Sequence, residues 1–243
     1  MTRRRWSKLI ENVFVGIFVV VLVIWSVLPI VWNVLTSFKS RVDIFTSPPR
    51  FFFEPTFEYY AAILRPGGRS VYPYLVNTIT IAALTTIITL FVAALAAYAI
   101  SRFQFKGRRV AMYAVLATRL LPPIAAVVPL FMLMNRLRLI DTHIGLTLIY
   151  CALGVPFAVW LLKSFFDAVP KEIEEAAMIE GCNRLQTLRY VTMPLAAPGL
   201  MATAVFVMII AWNEFMFAFM FTSVEAKTLP ILISEARGED QFL

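Results

Sequence analysis

Arg119, Asn213 and Glu214 stand inside runs of sequence that are mostly apolar. A charged group at the centre of a bilayer costs about 2.5–3.5 kcal/mol on insertion scales, so such residues usually face a cavity or a partner. The chemistry open to Asn213 and Glu214 is hydrogen bonding, because carbonyl and carboxylate oxygens accept from hydroxyls. The aromatic neighbours Trp212, Phe215, Phe217 and Phe219 can stack on a ligand or face lipid, and Glu214 can instead reach headgroup water. Covalent chemistry has no comparable footing. No nucleophile–base constellation is present, and Cys151, Cys182 and the single His143 make no metal-ligand cluster. No GxxxxGKS or GxxxxGKT occurs, so the phosphate cradle of an ATP-hydrolysing chain is missing and no enzyme activity is expected.

The elements that must position these residues are membrane spans. Of 243 residues, 60% are hydrophobic and 15% charged, against about 45–50% and about 25% in soluble domains. Five runs are long enough to cross a hydrocarbon core, which takes about 20 apolar residues: roughly 13–35, 75–100, 110–134, 145–166 and 195–221. The sequence therefore predicts one all-α polytopic membrane domain over residues 1–243. The net charge of +7 does not indicate nucleic acid, because the basic residues flank apolar runs, where they set orientation. Arg3, Arg4, Arg5 and Lys8 precede a first run too long for a signal peptide, so it is read as a retained span. With the N-terminus cytoplasmic, the tight cluster Arg102, Lys106, Arg108 and Arg109 also falls inside. The outer segment 37–73 is rich in Pro and aromatics and is read as an external loop, lying in the headgroup belt or offering a platform to an external partner. Pro122 and Pro123 should bend the third run, while Thr78, Thr80, Thr85, Thr86 and Thr89 of the second should bond to their own helix or its neighbours.

Between the fourth and fifth runs lies a charged stretch, PKEIEEAAMIEGCNRLQTLRYVTMP, from Pro170 to Pro194. Pro170 suits a first helical turn, and Glu172, Glu174 and Glu175 in or near that turn complement the helix dipole. Ile173, Ala176 and Ala177 share one shallow face. Gly181 sits where a left-handed residue would end the helix. A second short helix, about 183–191, carries Leu185, Leu188 and Val191, and Pro194 should forbid its simple continuation into the fifth run. Pattern alone leaves two readings, a docking knob or an ordinary solvated interfacial loop.

EEAAMIEGCNRLQTLRYVTMP resembles the EAA loop of permease subunits of binding-protein-dependent ABC importers. Glu175, Ala176, Ala177 and Gly181 fit that pattern, with Val191 and Met193 in place of the usual Ile and Leu. NTITIA at 77–82, AAYAISRFQFKGRR at 96–109, LPP at 121–123, PFAVWLLKSFF at 156–166 and AWNEFMFA at 211–218 look like the carbohydrate-uptake branch, with the likeness running most strongly to the smaller permease subunits of maltose-type transporters. The resemblance implies a six-span fold in which Glu175, Ala176, Ala177, Gly181, Ile173 and Leu185 engage a cleft of a cytoplasmic ATPase. Asn213, Glu214 and Arg119 are read, from their polarity at membrane depth, as candidates for the wall of a substrate path, though Arg119 can instead snorkel or pair with a carboxylate of another permease. Implied partners are a second related permease, two ATPase subunits that bind ATP and Mg, an extracytoplasmic solute-binding protein and the membrane lipid. No cofactor is expected in this chain. Relatives carry a further span after the part matching 229–243, where this sequence stops. The alternative is a secondary transporter driven by an ion gradient, against which stands the lack of matched halves or paired broken helices.

Overall fold

The computed structural model describes residues 3–64 and 70–240, with side chains described for 12–64 and 70–236. Arg3, Arg4, Arg5 and Lys8, used in reading the orientation, lie outside the described side chains. The chain divides into two compact units, Met1–Ser70 and Val71–Leu243.

The first unit holds α1 (Arg3–Ser37), α2 (Arg41–Phe45) and α3 (Glu58–Leu64). Within α1, Asn12–Ser37 is long and apolar enough to cross a membrane. The aromatics that follow it fold back on its end. Phe38 stacks on Tyr60 at 5.3 Å and meets Phe57 edge-on at 5.4 Å. Lys39 is buried with its ammonium 4.5 Å above Trp32 and 5.2 Å above Phe53, a geometry in which ring quadrupoles hold a cation.

The second unit is built on α4 (Tyr72–Arg102) and α7 (His143–Ala168), both of membrane-crossing length, which pack along each other. Small residues permit it, since Ala82, Ala93, Ala94, Ala97 and Ala158 are all buried and small side chains let membrane helices approach closely. The third member of the core is α11 (Ala197–Trp212), seated through Gly199, Thr203, Val207 and Ala211. A Cβ on Gly199 would run into the Phe165 ring, so that crossing requires glycine. The core has two apolar clusters. One gathers Tyr98, Leu162, Phe166 and Leu188, the other Ile81, Ile149, Phe217 and Ile231.

Three of the five expected spans appear as single helices of membrane-crossing length, and the other two fall on bent helix pairs, the second of which starts at Arg184, before the expected run 195–221. In the third run, α5 (Arg108–Ala117) with a 3-10 turn, Thr118–Leu120, gives way to α6 (Pro123–Arg136) through a 96° bend, where two consecutive prolines remove N–H donors. The other bend, 82°, separates α11 from the helical stretch Arg184–Leu195. α8 (Lys171–Ile179) precedes that stretch, which itself runs through α9 (Arg184–Thr187), a π-helical turn Leu188–Thr192 and α10 (Met193–Leu195). As expected, the helix that carries Pro194 does not continue straight into the fifth run. A π-helical turn precedes Pro194, and the break comes at Ala196, two residues after it. The chain closes with α12 (Met216–Phe221) and α13 (Leu229–Asp240).

Candidate functional site

The segment 170–194 forms two short helices at an exposed end of the core. α8 starts on Pro170 and stops at Gly181, whose φ of +101° is the left-handed conformation glycine adopts most cheaply. α9 opens with a capping box the sequence reading did not anticipate: the Asn183 side chain accepts from the Gln186 N–H at 2.9 Å, and the Gln186 side chain accepts from the Asn183 N–H at 2.8 Å. Four apolar or small side chains point away from the core. Ile173 and Ala176 are exposed, Leu185 is 65% exposed and Ile179 is 87% exposed. Glu175 and Gly181 are exposed beside them, and Ala177 is half-buried. The expected stripe Leu185–Leu188–Val191 is split, because Leu188 turns into the core.

Beneath this surface lies what the sequence did not disclose. Glu174 is buried, with 2% of its side chain exposed, and pairs with Arg102, 4% exposed, at 2.8 Å. The Arg102 Nε donates to both carboxylate oxygens at 2.9 Å. The same guanidinium donates to the carbonyls of Phe166 and Val169 at 2.7 and 2.9 Å, and the Thr192 hydroxyl donates to Glu174 at 2.8 Å. One bidentate fork thus joins the end of α4, the end of α7, α8 and the π turn, a geometry that guanidinium supports and ammonium does not. Ser101 donates to Asp167 at 2.5 Å, and Lys163 also pairs with Asp167. Arg184 lies 5.6 Å from the Phe103 ring. The exposed knob is fastened to two spans.

The opposite end of the core is closed by a second fastening. Asp141, at φ 57°, accepts four successive backbone N–H groups, from Ser223, Val224, Glu225 and Ala226, at 2.9–3.1 Å. Partial burial works against its ionisation, yet the four donors outweigh it and hold the carboxyl below the usual aspartate range. Asn77 donates to the carbonyls of Glu225 and Lys227, and His143 Nε2 lies 2.7 Å from the Asn77 carbonyl oxygen.

The three polar residues singled out at membrane depth are placed apart. Asn213, at the end of α11, lines an open hollow of about 380 Å³ with Trp212, Phe215, Pro230 and Ser234. Glu214 turns away from that hollow and caps α12, accepting the N–H groups of Phe217 and Ala218 at 2.9 and 3.1 Å. Arg119 sits at the α5–α6 bend, its guanidinium 5.5 Å above the Phe157 ring.

Residues 89–240, a stretch holding both the knob and the capped break at Asn213, match the family model described as the inner membrane component of binding-protein-dependent transport systems. The chain belongs to that family. Two curated relatives of this permease are similar over most of their length. The trehalose/maltose transport system permease protein MalG of Thermococcus litoralis is 36% identical over 233 residues, 96% of this chain and 84% of the relative. The trehalose transport system permease protein SugB of Mycobacterium tuberculosis is 36% identical over 221 residues, 90% and 79% respectively. Among solved structures, a chain of a bacterial ABC transporter involved in the import of the acidic polysaccharide alginate superposes with a TM-score of 0.73 at 25% identity, covering 98% of this permease and 81% of that chain. The protein is an all-α ABC-importer permease of the membrane, and the rival reading as an ion-driven carrier finds no support in these matches.

Proposed function

We propose that this permease forms the solute path of an ATP-driven importer for a sugar, oligosaccharide or polyol, and that segment 170–194 is the cytoplasmic knob through which a separate ATPase drives it. The relatives' roles in trehalose/maltose and trehalose transport support the substrate class. The coupling role rests on one observation: an exposed face of Ile173, Ala176 and Leu185 sits directly over the Arg102–Glu174 lock. A push on that face passes through a buried bidentate pair into the ends of α4 and α7 instead of dissipating in a loop. Glu175, Ala177 and Gly181 complete the contact surface, shallow at the alanines and turned at the glycine.

In this reading the N-terminus and the knob face the cytoplasm, and the Asp141 fastening faces outward. ATP and Mg belong to two partner ATPase subunits, and this chain needs no cofactor of its own. A second related permease completes the path, and an extracytoplasmic solute-binding protein delivers the cargo. Asn213 in its hollow offers amide hydrogen bonds, with Trp212 and Phe215 beside it as stacking faces for a sugar ring. Arg119 supplies a cation to the path or to the neighbouring permease. The deciding experiment places Ala177→Cys in the knob and a cysteine along the ATPase cleft. A disulfide that forms between the two subunits and blocks uptake is the expected result; unimpaired uptake with no crosslink to the ATPase would sink the coupling role.

A further inference from the structure

At the knob end of the core, a hollow that takes no part in the knob opens between α5, α7 and the end of α4 at Ile100. It holds about 500 Å³, within the about 300–1,000 Å³ typical of ligand pockets. Its chemistry is graded along the helices. Arg108 and Arg109 line it from the first turn of α5, and Lys163 from near the end of α7. One and two turns further along α5 stand Met112 and Leu116, on the same face as Arg108. One turn further from the end of α7 stands Trp160. Cations thus lie toward the ends of the helices and apolar side chains deeper along them.

The charge is one-sided. Three cations and no carboxylate line the hollow. Lys163 is paired with Asp167, but Arg108 and Arg109 pair with no carboxylate among the described residues. Arg108 makes one long contact, at 3.4 Å, to the Ser101 carbonyl. The first turn of α5 holds no acidic residue, and no side chain caps it at Gly107. Basic side chains there add to the positive end of the helix dipole instead of offsetting it, so the local field selects an anion. Lys106 extends the positive surface, lining with both arginines a second hollow of about 530 Å³. Phe103, Phe105 and Val110 are exposed nearby. A soluble anion would use the cations and gain nothing from Met112, Leu116 and Trp160, whereas an acidic amphiphile uses both. Basic pockets between membrane helices suit acidic headgroups in this way. We propose that the hollow binds an anionic phospholipid of the leaflet at the knob end, with its phosphate at Arg108, Arg109 and the start of α5 and an acyl chain along Met112, Leu116 and Trp160. Such a site requires only that the chain spans a membrane, and it stands or falls apart from the coupling role of the knob.

The test places the full chain with its partner subunits in phosphatidylcholine vesicles. These contain a small share of phosphatidylglycerol carrying a photoreactive diazirine on one acyl chain, or, as control, phosphatidylcholine carrying the same diazirine. After illumination, peptides holding Met112, Leu116 or Trp160 should carry about tenfold more of the phosphatidylglycerol probe. Arg109→Gln should lower that excess by about fivefold, the effect of one basic residue near an anionic headgroup, and Arg109→Lys should keep most of it. Arg108→Gln with Arg109→Gln should bring labelling down to the phosphatidylcholine level. Sodium phosphate should compete no better than sodium chloride of equal ionic strength. Specific competition by phosphate would mark a site for soluble anions and overturn the lipid. Equal labelling by the two lipids would mark ordinary boundary lipid, and no labelling by either a surface covered by a partner subunit; each overturns the proposal. The comparison of the two lipids needs no variant, so it decides even where a substitution prevents folding.

Discussion

Asp141 shows how much one side chain can organise. Its carboxylate takes four consecutive N–H groups that no helix or strand would otherwise pair, so the loop from Ser223 to Ala226 owes its shape to a residue more than 80 positions earlier. An amide in its place keeps one acceptor oxygen and turns an NH2 toward backbone donors. Asp141→Asn should destabilise the protein by about 1–2 kcal/mol, hydrogen bonds to charged groups being worth about 1.5–3 each when fully buried and these being partly solvated. Its pH signature follows from the lowered pKa. A depressed carboxyl contributes stability in full above the unfolded value, about 3.9, and loses it as pH falls through the folded value. Thermal melts should therefore show the wild type losing stability below about pH 4 more steeply than Asp141→Asn, whose side chain does not titrate. Parallel curves would count against the charge. None of this was legible in the sequence, where Asp141 is an ordinary loop aspartate and its donors are backbone atoms. The threonines of α4 carry the same lesson. Thr85 and Thr86 are neighbours of one type, and only packing decides that Thr86 bonds to its own helix while Thr85 faces a cavity.

Local rules succeed for elements where the cause lies within the element, and fail where it lies across the core. Pro170 and Gly181 bound α8 as their backbone chemistry demands, and the paired prolines at 122 and 123 bend the third run. Glu174 belongs to the other kind. Read locally it is one of three glutamates near a helix start, but its partner Arg102 lies 72 positions away and reaches it only because α4 and α7 end side by side. The π turn before Pro194 is likewise invisible in composition. A buried ion pair is weak warrant for net stability, yet removing one partner strands the other and costs about 3–5 kcal/mol. Glu174→Ala should therefore destabilise the chain by that order, with proteolytic cuts appearing first around α8. Arg102→Lys should cost nearly as much even though the charge is kept, because one ammonium cannot serve the carboxylate and the Phe166 and Val169 carbonyls together. If melting and limited proteolysis find Arg102→Lys indistinguishable from wild type, the lock is only a charge pair and cannot act as a rigid link.

Taken whole, the core of α4, α7 and α11 has two chemically different ends. One end gathers the knob, the Arg102–Glu174 lock and the basic cluster from Arg102 to Arg109, which favours the cytoplasmic face. The other gathers Asn77, Asp141, His143 and the loop after α12. The chain carries its own reporter for this arrangement. Cys182 lies in the knob and is partly exposed, whereas Cys151 is buried in the core. A membrane-impermeant maleimide should leave Cys182 unlabelled in right-side-out vesicles and label it in inside-out ones. Ser223→Cys, in the exposed loop after α12, should behave in the opposite way. Adding the partner ATPase should slow the labelling of Cys182 and leave that at position 223 unchanged, because only the knob would be covered. Labelling of Cys182 from outside would turn the molecule over, placing the fastened knob on the face where no ATP is available and removing the route by which hydrolysis could move the spans.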